Sequence, residues 1–280
     1  MQNLSSDGVH VAALYLYPVK GCGAVRVPEL SLDRWGGAEG DRRWAVVNAE
    51  GEVTWQGAFP RLALVQPRAV DGALQLEAPG HARFVVDEGG LQPCTFQIWN
   101  EPAAKLDRFD GHDAGDAAGA WLSAVVGAPL RLVRMGDEAV GRGAANRLHI
   151  VSRASCDEAQ AQVHRAGGAA TELLRYRPNI VLDGPVSALQ PFAEDFLLSM
   201  QWHDEASGDG ALEVGRRCVR CVVPNVSPSS GEADERVLAA LAQLSAQRFP
   251  GEPVCFGVYG QGRRGARLRE GQAVSLAFSF

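Results

Sequence analysis

Two short segments, Ala-Leu-Gln-Leu-Glu at residues 73–77 and Arg-Phe-Val-Val at residues 83–86, show how the first half of the chain is built. Turn residues flank them, as at Asp71-Gly72 and Gly89-Gly90. Short segments rich in β-branched or aromatic residues and separated by glycine turns are typical of strands. Further segments of this kind are Val9–Tyr17, Arg43–Val47, Leu62–Val65 and Phe96–Trp99. Regular short strands without long helices between them predict a barrel or a sandwich.

Helices and strands alternate in the rest of the chain. The apolar spacing predicts helices over Asp113–Val126, over a segment that begins with the capping box Ser155 and Glu158, and over Glu232–Ala246. Met135–Ala145 is rich in glycine and charge and predicts a linker. Predicted strands are Leu130–Val133, Leu148–Val151, Asn179–Leu182, Val254–Tyr259 and Ala273–Phe278. The pattern therefore predicts two mainly β units with a few helices (α+β).

Composition excludes several classes of protein. Of 280 residues, 46% are hydrophobic and 21% are charged, which is typical of a globular chain and excludes disorder and fibrous architectures. The net charge of −6 argues against a nucleic-acid or anionic-membrane binder. No apolar run reaches the roughly 18 residues of a membrane helix, and no export signal is present. We therefore expect a cytoplasmic protein without nucleic-acid or membrane partners.

Common catalytic motifs are missing or out of place. The chain has no phosphate-binding Gly-Lys-Ser/Thr loop, no His-Glu-x-x-His helix and no Gly-x-Ser-x-Gly elbow. A Gly-x-Gly-x-x-Gly pattern occurs at Gly260, Gly262 and Gly265. No strand–helix–strand unit fits between it and the last residue, so we interpret it as a turn between strands rather than a dinucleotide site.

The Cys-x-x-Cys motif, Cys218-Val219-Arg220-Cys221, is the most informative stretch for chemistry. A structural zinc site needs two further ligands, and the other four cysteines are isolated. A thioredoxin-type dithiol normally opens a helix, whereas Val222-Val223-Pro224 leads away from one. A third interpretation is a thiolate whose pKa is lowered by Arg216, Arg217 and Arg220. The fourth is two buried apolar cysteines beside solvated arginines.

The chain resembles the MOSC family, named for the C-terminal domain of molybdenum-cofactor sulfurases, preceded by that family's N-terminal β-barrel domain. Proteins of this type include the mitochondrial amidoxime-reducing component and bacterial relatives. The segments that carry the resemblance occur in order along the whole chain: Tyr17–Cys22, Asp41–Trp44, Pro60–Leu64, Gly115–Leu122, Arg131–Val133, Arg177–Val181, Phe192–Asp195 and Cys218–Cys221.

This resemblance implies two β-barrel-like units, 1–135 and 136–280, and a molybdenum-molybdopterin cofactor. Cys221 takes the position of the catalytic cysteine that ligates the metal, and a thiolate suits a metal that is also bound by dithiolene sulfurs. The implied cofactor-binding residues are Lys20, Gly21, Arg42, Arg177, Asn179, Val219 and Arg220. Because these residues come from both halves, we predict a pocket between the units.

Four positions depart from the family pattern. Gly21 replaces a serine, Pro224 replaces a threonine, Ser227 replaces an aspartate and Ser230 replaces a second threonine. The loop 143–147 also lacks the usual acidic or hydroxyl contact. The implied metal ligand is retained, whereas a proline removes an N–H donor and the serine removes a charge near the site.

The resemblance supports two functions of different classes. The first is an oxidoreductase that reduces small N-hydroxylated or N-oxide compounds, with electrons from a ferredoxin-like or haem carrier and an NAD(P)H reductase. Separate donors are expected because the chain has no iron–sulfur, flavin or nicotinamide motif. The alternative is a non-catalytic carrier of molybdenum cofactor, or of sulfur as a Cys221 persulfide.

Overall fold

The fold is mainly β, as the sequence predicts. The computed structural model describes residues 8–70, 72–100, 103–142, 147–169, 171–205 and 208–279. Within these ranges the α-helices are α1 (Gly115–Val126), α2 (Asp137–Gly141), α3 (Arg153–Arg165) and α4 (Glu235–Arg248). The strands in the same ranges are β1 (His10–Leu16), β2 (Val19–Lys20), β3 (Val25–Val27), β4 (Glu29–Ser31), β5 (Trp44–Val47), β6 (Gln66–Val70), β7 (Ala73–Ala78), β8 (His81–Val85), β9 (Gln92–Asn100), β10 (Lys105–Asp113), β11 (Arg131–Met135), β12 (Leu148–Ser152), β13 (Ile180–Asp183), β14 (Leu197–Asp204), β15 (Gly208–Val219), β16 (Cys255–Gly262), β17 (Arg267–Arg269) and β18 (Ser275–Phe278).

The largest sheet has eight strands in the order β18-β14-β15-β16-β12-β13-β1-β3. A bridge between His10 and Ala273 joins the start of β1 to the residues that lead into β18. Because β1 and β18 lie near opposite ends of the strand order, this bridge gives the sheet a barrel-like closure.

Side chains alternate between the two faces of the central strands, and each face contributes to a separate apolar core. Leu148 and Ile150 on β12 belong to a core with residues of β1, β13 and β14, whereas their neighbour Val151 belongs to a second core. That second core contains Val163 of α3 and Leu241 of α4. The two helices therefore cover the opposite face of the sheet from the first core, as strand periodicity requires.

A five-stranded sheet in the order β2-β5-β11-β10-β9 and a three-stranded sheet β6-β7-β8 make up most of the first half. Helix α1 packs on this half through Leu122 and Val125, which share a core with Val46 and Leu132. Strand β1 precedes this unit in sequence but pairs with β13 of the large sheet. The boundary between the two units at 135/136 remains a proposal. Strand β1 belongs to the first unit by sequence, but it pairs with a strand of the second unit.

Several elements differ from the sequence-based expectations, and helix α3 begins at Arg153 with Ser152 rather than Ser155 as its N-cap. Leu62–Val65, predicted as a strand, lies largely in a 3-10 turn over Pro60–Leu64, because a proline at the first position favours a helical turn. Met135–Ala145, predicted as a linker, contains the end of β11 and the short helix α2, while 143–145 lie outside the described residues. Strands β14 and β15 were not predicted, since the glycines and arginines of β15 obscure strand periodicity.

The chain crosses from one sheet to the other directly before Lys20. Strand β1 ends at Leu16 in the large sheet, and β2 then pairs in parallel with β5 of the five-stranded sheet. This crossing brings the first unit's motif residues close to the loop before β13.

Candidate functional site

Tyr17 organises the crossing between the two sheets. Its ring is buried, its hydroxyl donates to the carbonyl of Pro178 at 3.1 Å, and its backbone N–H donates to the Asp41 carboxylate at 2.7 Å. The guanidinium groups of Arg42 and Arg177 lie 5.0 and 4.1 Å from the centre of its ring. One aromatic side chain therefore brings together two arginines that are distant in sequence, through cation–π contacts.

Both arginines have left-handed backbone conformations, with φ of 49° at Arg42 and 56° at Arg177. Such angles are costly for side chains other than glycine and occur often at functional sites. Backbone and side-chain hydrogen bonds hold them: Arg42 N–H donates to the Tyr17 carbonyl at 2.8 Å, and Arg177 Nη1 donates to the Cys22 carbonyl at 2.6 Å. Arg42 is also ion-paired with Asp41.

The Asn179 side chain is enclosed by the protein and has no contact with solvent. It is fully buried, and its side-chain oxygen accepts from His149 N–H at 3.2 Å and from Arg42 Nη1 at 3.3 Å. Its amide nitrogen donates to the Tyr15 carbonyl at 3.0 Å. The amide thus joins β1, β12 and Arg42.

Lys20 is a half-buried cation in a positive environment. Loss of solvent lowers its pKa to about 8, with further lowering by Arg42 and Arg177, whereas the Cys221 side chain acts in the opposite direction. Among the described residues, no carboxylate lies within 4.0 Å of its ammonium group. The next residue, Gly21, has φ of 84°, a left-handed conformation that glycine adopts without strain.

The two cysteines of the motif have different environments. Cys218 is 1% exposed, and Arg220 Nη1 donates to its sulfur at 3.0 Å. Burial opposes ionisation of this thiol, but His149, Arg220 and a hydrogen bond from Tyr259 together lower its pKa. Cys221 is exposed. The pair therefore consists of one buried sulfur that is hydrogen-bonded to Arg220 and one accessible thiol.

Arg220 connects the two cysteines to the rest of the site. Its Nη2 donates to the Tyr176 carbonyl at 3.1 Å, and its backbone N–H donates to the Val254 carbonyl at 2.8 Å. Its Nε is buried and has no hydrogen-bond partner among the described residues. Val219, at the end of β15, exposes 58% of its surface.

Two arginines of the predicted cluster have different contacts. Arg220 bonds to the sulfur of Cys218. Arg217 is ion-paired with Glu252, and its guanidinium lies 3.8 Å from the ring centre of Phe249.

The departures from the family pattern lie in a tight turn after the motif. Pro224 is buried within a 3-10 turn over Val223–Asn225, and its carbonyl accepts from Arg175. The Ser227 hydroxyl donates to Glu172 at 2.9 Å and accepts the backbone N–H of Ser230 at 3.2 Å. These residues therefore stabilise the turn locally. The unusual loop 143–147 lies outside the described residues except for Arg147.

Sequence reasoning missed four residues that the structure places in this site. Tyr17 and Asp41 lie inside segments that carry the family resemblance, so the sequence did contain a signal for them. His149 and Tyr259, whose ring centres are 5.6 Å apart, carried no sequence signal because each lies in an ordinary apolar strand. His149 and Tyr259 come close to the Cys-x-x-Cys motif only because β12, β15 and β16 pair side by side.

Sequence comparisons agree with this architecture. The MOSC N-terminal beta barrel domain matches residues 8–129, and the MOSC domain matches residues 135–275. This chain belongs to the MOSC family. The mouse mitochondrial amidoxime-reducing component 1 is 26% identical over 277 residues, covering 90% of the chain and 76% of that protein.

A second kind of MOSC relative is much longer than this chain. The molybdenum cofactor sulfurase of Danio rerio is 28% identical over 276 residues, which cover 88% of this chain. The chain spans about a third of that relative, 31% of its length. The MOSC domains therefore correspond to one part of the sulfurase.

The described residues contain no group of three or more His, Cys, Asp or Glu side chains arranged to hold a metal ion. None of the helices in the described ranges has the length and apolar surface that crossing a bilayer requires.

Proposed function

We propose that this MOSC protein is an oxidoreductase that uses a molybdenum cofactor to reduce small N-hydroxylated or N-oxide compounds. The observation that carries the proposal is an accessible thiol, Cys221, in electrostatic contact with the half-buried cation Lys20, which has no carboxylate partner among the described residues. Charges that are partly withdrawn from water are normally paired, so this arrangement favours an anionic ligand with a thiol-binding metal.

The residues present fit molybdopterin. Cys221 would supply one soft ligand, and Lys20 with Arg42 would face the anionic groups of the cofactor. The buried Nε of Arg220, which has no partner in the described residues, offers a further donor. When bound, this cofactor supplies two-electron chemistry that converts an N–OH group to N–H.

The chain's own residues provide position and charge. Tyr17 and Asp41 hold Arg42, the Asn179 amide fixes it from the other side, and Cys218 orients Arg220. Gly21, Arg177 and Val219 complete the proposed set, with Arg177 secured at the Cys22 carbonyl. Held donors of this kind stabilise charge without having to reorganise during the reaction.

Electrons would come from a separate carrier protein, ferredoxin-like or haem-containing, supplied by an NAD(P)H reductase in the cytoplasm. The relatives named as amidoxime-reducing components support the N-reductive part of the proposal. An exposed thiol also suits a sulfur carrier, in which Cys221 would hold a persulfide, and the sulfurase relatives favour this second candidate.

The test is metal and pterin content followed by turnover. Protein produced in a host that makes the cofactor should contain about one molybdenum and one pterin per chain. With reduced viologen as donor it should reduce an amidoxime, and with NADPH alone it should not. Full cofactor content without viologen-driven turnover would instead support the carrier function.

A further inference from the structure

The turn that follows Cys221 is anchored on both sides of this residue. Before it, the backbone N–H of Arg220 donates to the Val254 carbonyl at 2.8 Å. After it, the side-chain oxygen of Asn225 accepts the backbone N–H of Leu238, in α4, at 2.8 Å. Cys221 is exposed and lies between these two anchors, so the position of its thiol depends on how firmly they are held.

Arg175 holds the anchor at Asn225. Its side chain is only 9% exposed, and Nη1 donates to the carbonyls of Asn225 at 2.6 Å and of Pro224 at 3.3 Å. The carbonyl of the next residue, Tyr176, accepts from Arg220 Nη2 at 3.1 Å. A guanidinium that is largely buried needs a negative charge nearby, because burial of a charge without a partner is costly.

Glu172 supplies this negative charge. Its Oε2 lies 3.9 Å from Arg175 Nε and accepts from the Ser227 hydroxyl at 2.9 Å. In the described part of the chain, no other carboxylate oxygen lies within 4.0 Å of the Arg175 guanidinium. One carboxylate therefore joins the arginine that holds Asn225 to a buried hydroxyl further along the same turn.

Ser227 organises the second half of the turn. Its hydroxyl accepts the backbone N–H groups of Ser229 at 3.3 Å and of Ser230 at 3.2 Å, and its own N–H donates to the Glu232 carbonyl at 2.7 Å. An aspartate, the residue that the family pattern has here, could accept the same N–H groups and would bring its own charge. In this chain the charge lies across the hydrogen bond, on Glu172.

We propose that Glu172 is a positioning residue for the Cys221 thiol: its carboxylate holds Arg175 and Ser227, and these two side chains hold the turn. This inference rests on the proposed function, because the thiol needs a fixed position only if it holds a cofactor. It also explains how the turn keeps its contacts although residue 227 carries no charge.

Moving the carboxylate across the hydrogen bond tests the inference. Glu172→Gln keeps an acceptor for the Ser227 hydroxyl but removes the charge, whereas Ser227→Asp adds a second charge. Each single variant should retain about fivefold less molybdenum than the wild-type protein, because Arg175 loses its partner in the first and two carboxylates face each other in the second. The double variant has one carboxylate again, so it should retain at least about half of the wild-type metal content.

Hydrogen exchange of the cofactor-free protein reports on the turn itself. The amides of Ser227, Ser230 and Gly231, which donate within the turn, should exchange at least about fivefold faster in each single variant and near the wild-type rate in the double variant. A contribution to overall stability alone would instead speed exchange throughout the fold, including β12. If Ser227→Asp does not fold, Glu172→Gln alone decides, and unchanged exchange in the turn would overturn the inference.

The same turn offers matched controls. Glu232→Gln removes a charge from an exposed glutamate, and Ser230→Asp adds a carboxylate to an exposed serine. Neither change should alter metal content or exchange, and Ser230→Asp should not rescue Glu172→Gln. If Ser227→Asp is equally harmful in the wild-type and the Glu172→Gln proteins, the inference is overturned.

The two readouts separate failure of this inference from failure of the proposed function. Fast exchange in the turn of Glu172→Gln with an undiminished molybdenum content would contradict the positioning role alone. A wild-type protein that binds no molybdenum, although exchange shows the rescue in the double variant, would contradict the proposed function and leave the anchoring of the turn by Glu172 established.

Discussion

Cys218 and Cys221 are three positions apart in sequence and lie in opposite environments. Cys218 is 1% exposed at the end of β15, where Arg220, His149 and Tyr259 surround its sulfur. Cys221, beyond the end of the same strand, is exposed beside Lys20. The two cysteines therefore have the spacing of a dithiol pair, but their environments are not equivalent.

The two environments assign different tasks to the two sulfurs. The Cys218 sulfur is occupied by hydrogen bonds within the protein, so its charge serves to orient Arg220. The imidazole of His149 lies against two carbonyl oxygens, of Arg177 at 3.3 Å and of Phe256 at 3.0 Å. Cys221 keeps its sulfur available.

The largest difference is expected on replacing each cysteine by serine. Cys221→Ser should remove molybdenum and reduce viologen-driven turnover by more than about a hundredfold, because a hydroxyl is a much weaker ligand for a soft metal. The melting temperature should be almost unchanged, since this residue is exposed. Metal analysis, turnover and thermal unfolding would be measured on the same preparations. Equal loss of metal from Cys218→Ser would favour a dithiol site such as zinc.

The second prediction concerns the cation beside the exposed thiol. Lys20→Met should lower cofactor content by about tenfold, because a charged donor to an anionic ligand is lost. In the cofactor-free protein, the same change should raise the melting temperature at pH 7. The folded-state pKa of Lys20 is about 8, below its ordinary value, so the folded protein binds fewer protons there than the unfolded chain.

The sign of this pH dependence can be checked directly. Charged Lys20 destabilises the cofactor-free fold at pH below about 8, and the penalty declines as the pH rises towards the ordinary lysine value near 10.4. The advantage of Lys20→Met should therefore shrink between pH 8 and pH 10 in unfolding measurements. Lys105→Met, at an exposed lysine, is the control and should show no such trend. If Lys20→Met destabilises the cofactor-free protein at pH 7, the charge of Lys20 does not destabilise the cofactor-free fold, and the prediction is wrong.

The predicted fold class is confirmed, whereas the roles of the predicted site residues stay predictions. Short strands and the MOSC resemblance identified a mainly β chain, and the same motifs contained Lys20, Arg42 and Cys221. The contacts of Asn179 were not predictable, because its amide partners come from β1 and β12, far away in sequence. The contribution of His149 was not predictable for the same reason, since this residue comes close to Cys218 only when the strands pair.

The third prediction isolates the buried cysteine. Cys218→Ser should retain most of the cofactor but lower the free energy of unfolding at pH 8 by about 2 kcal/mol, because a serine supplies no negative charge to Arg220. The folded-state pKa of Cys218 is lower than that of a thiol in the unfolded chain. Its stabilisation is therefore complete above the ordinary thiol value and is lost as the pH falls.

The matched control is Cys255→Ser, at a buried cysteine whose pKa is raised by burial. Its unfolding free energy should show no loss of stabilisation as the pH falls from 8. Denaturant unfolding at several pH values would compare both variants with the wild-type protein. A constant difference between Cys218→Ser and wild type across this range would mean that Cys218 is a neutral core residue.

The smallest effect is expected at the surface from which a carrier would reach Cys221. Val219 within the motif and Val222 directly after it are exposed, and Arg217 precedes the motif with 30% of its side chain exposed. Acidic electron carriers are steered by such charges, so Arg217→Gln should raise the KM for the carrier by about threefold without changing viologen-driven turnover. Salt should slow carrier-driven turnover more than viologen-driven turnover, because a Debye length of about 8 Å at physiological ionic strength screens exposed charges. Arg236→Gln, which removes an exposed ion-paired arginine from α4, is the matched control and should change neither rate. If salt slows both donors equally, the carrier docks without help from this surface, and the exposed side of the cysteine pair then serves the cofactor alone.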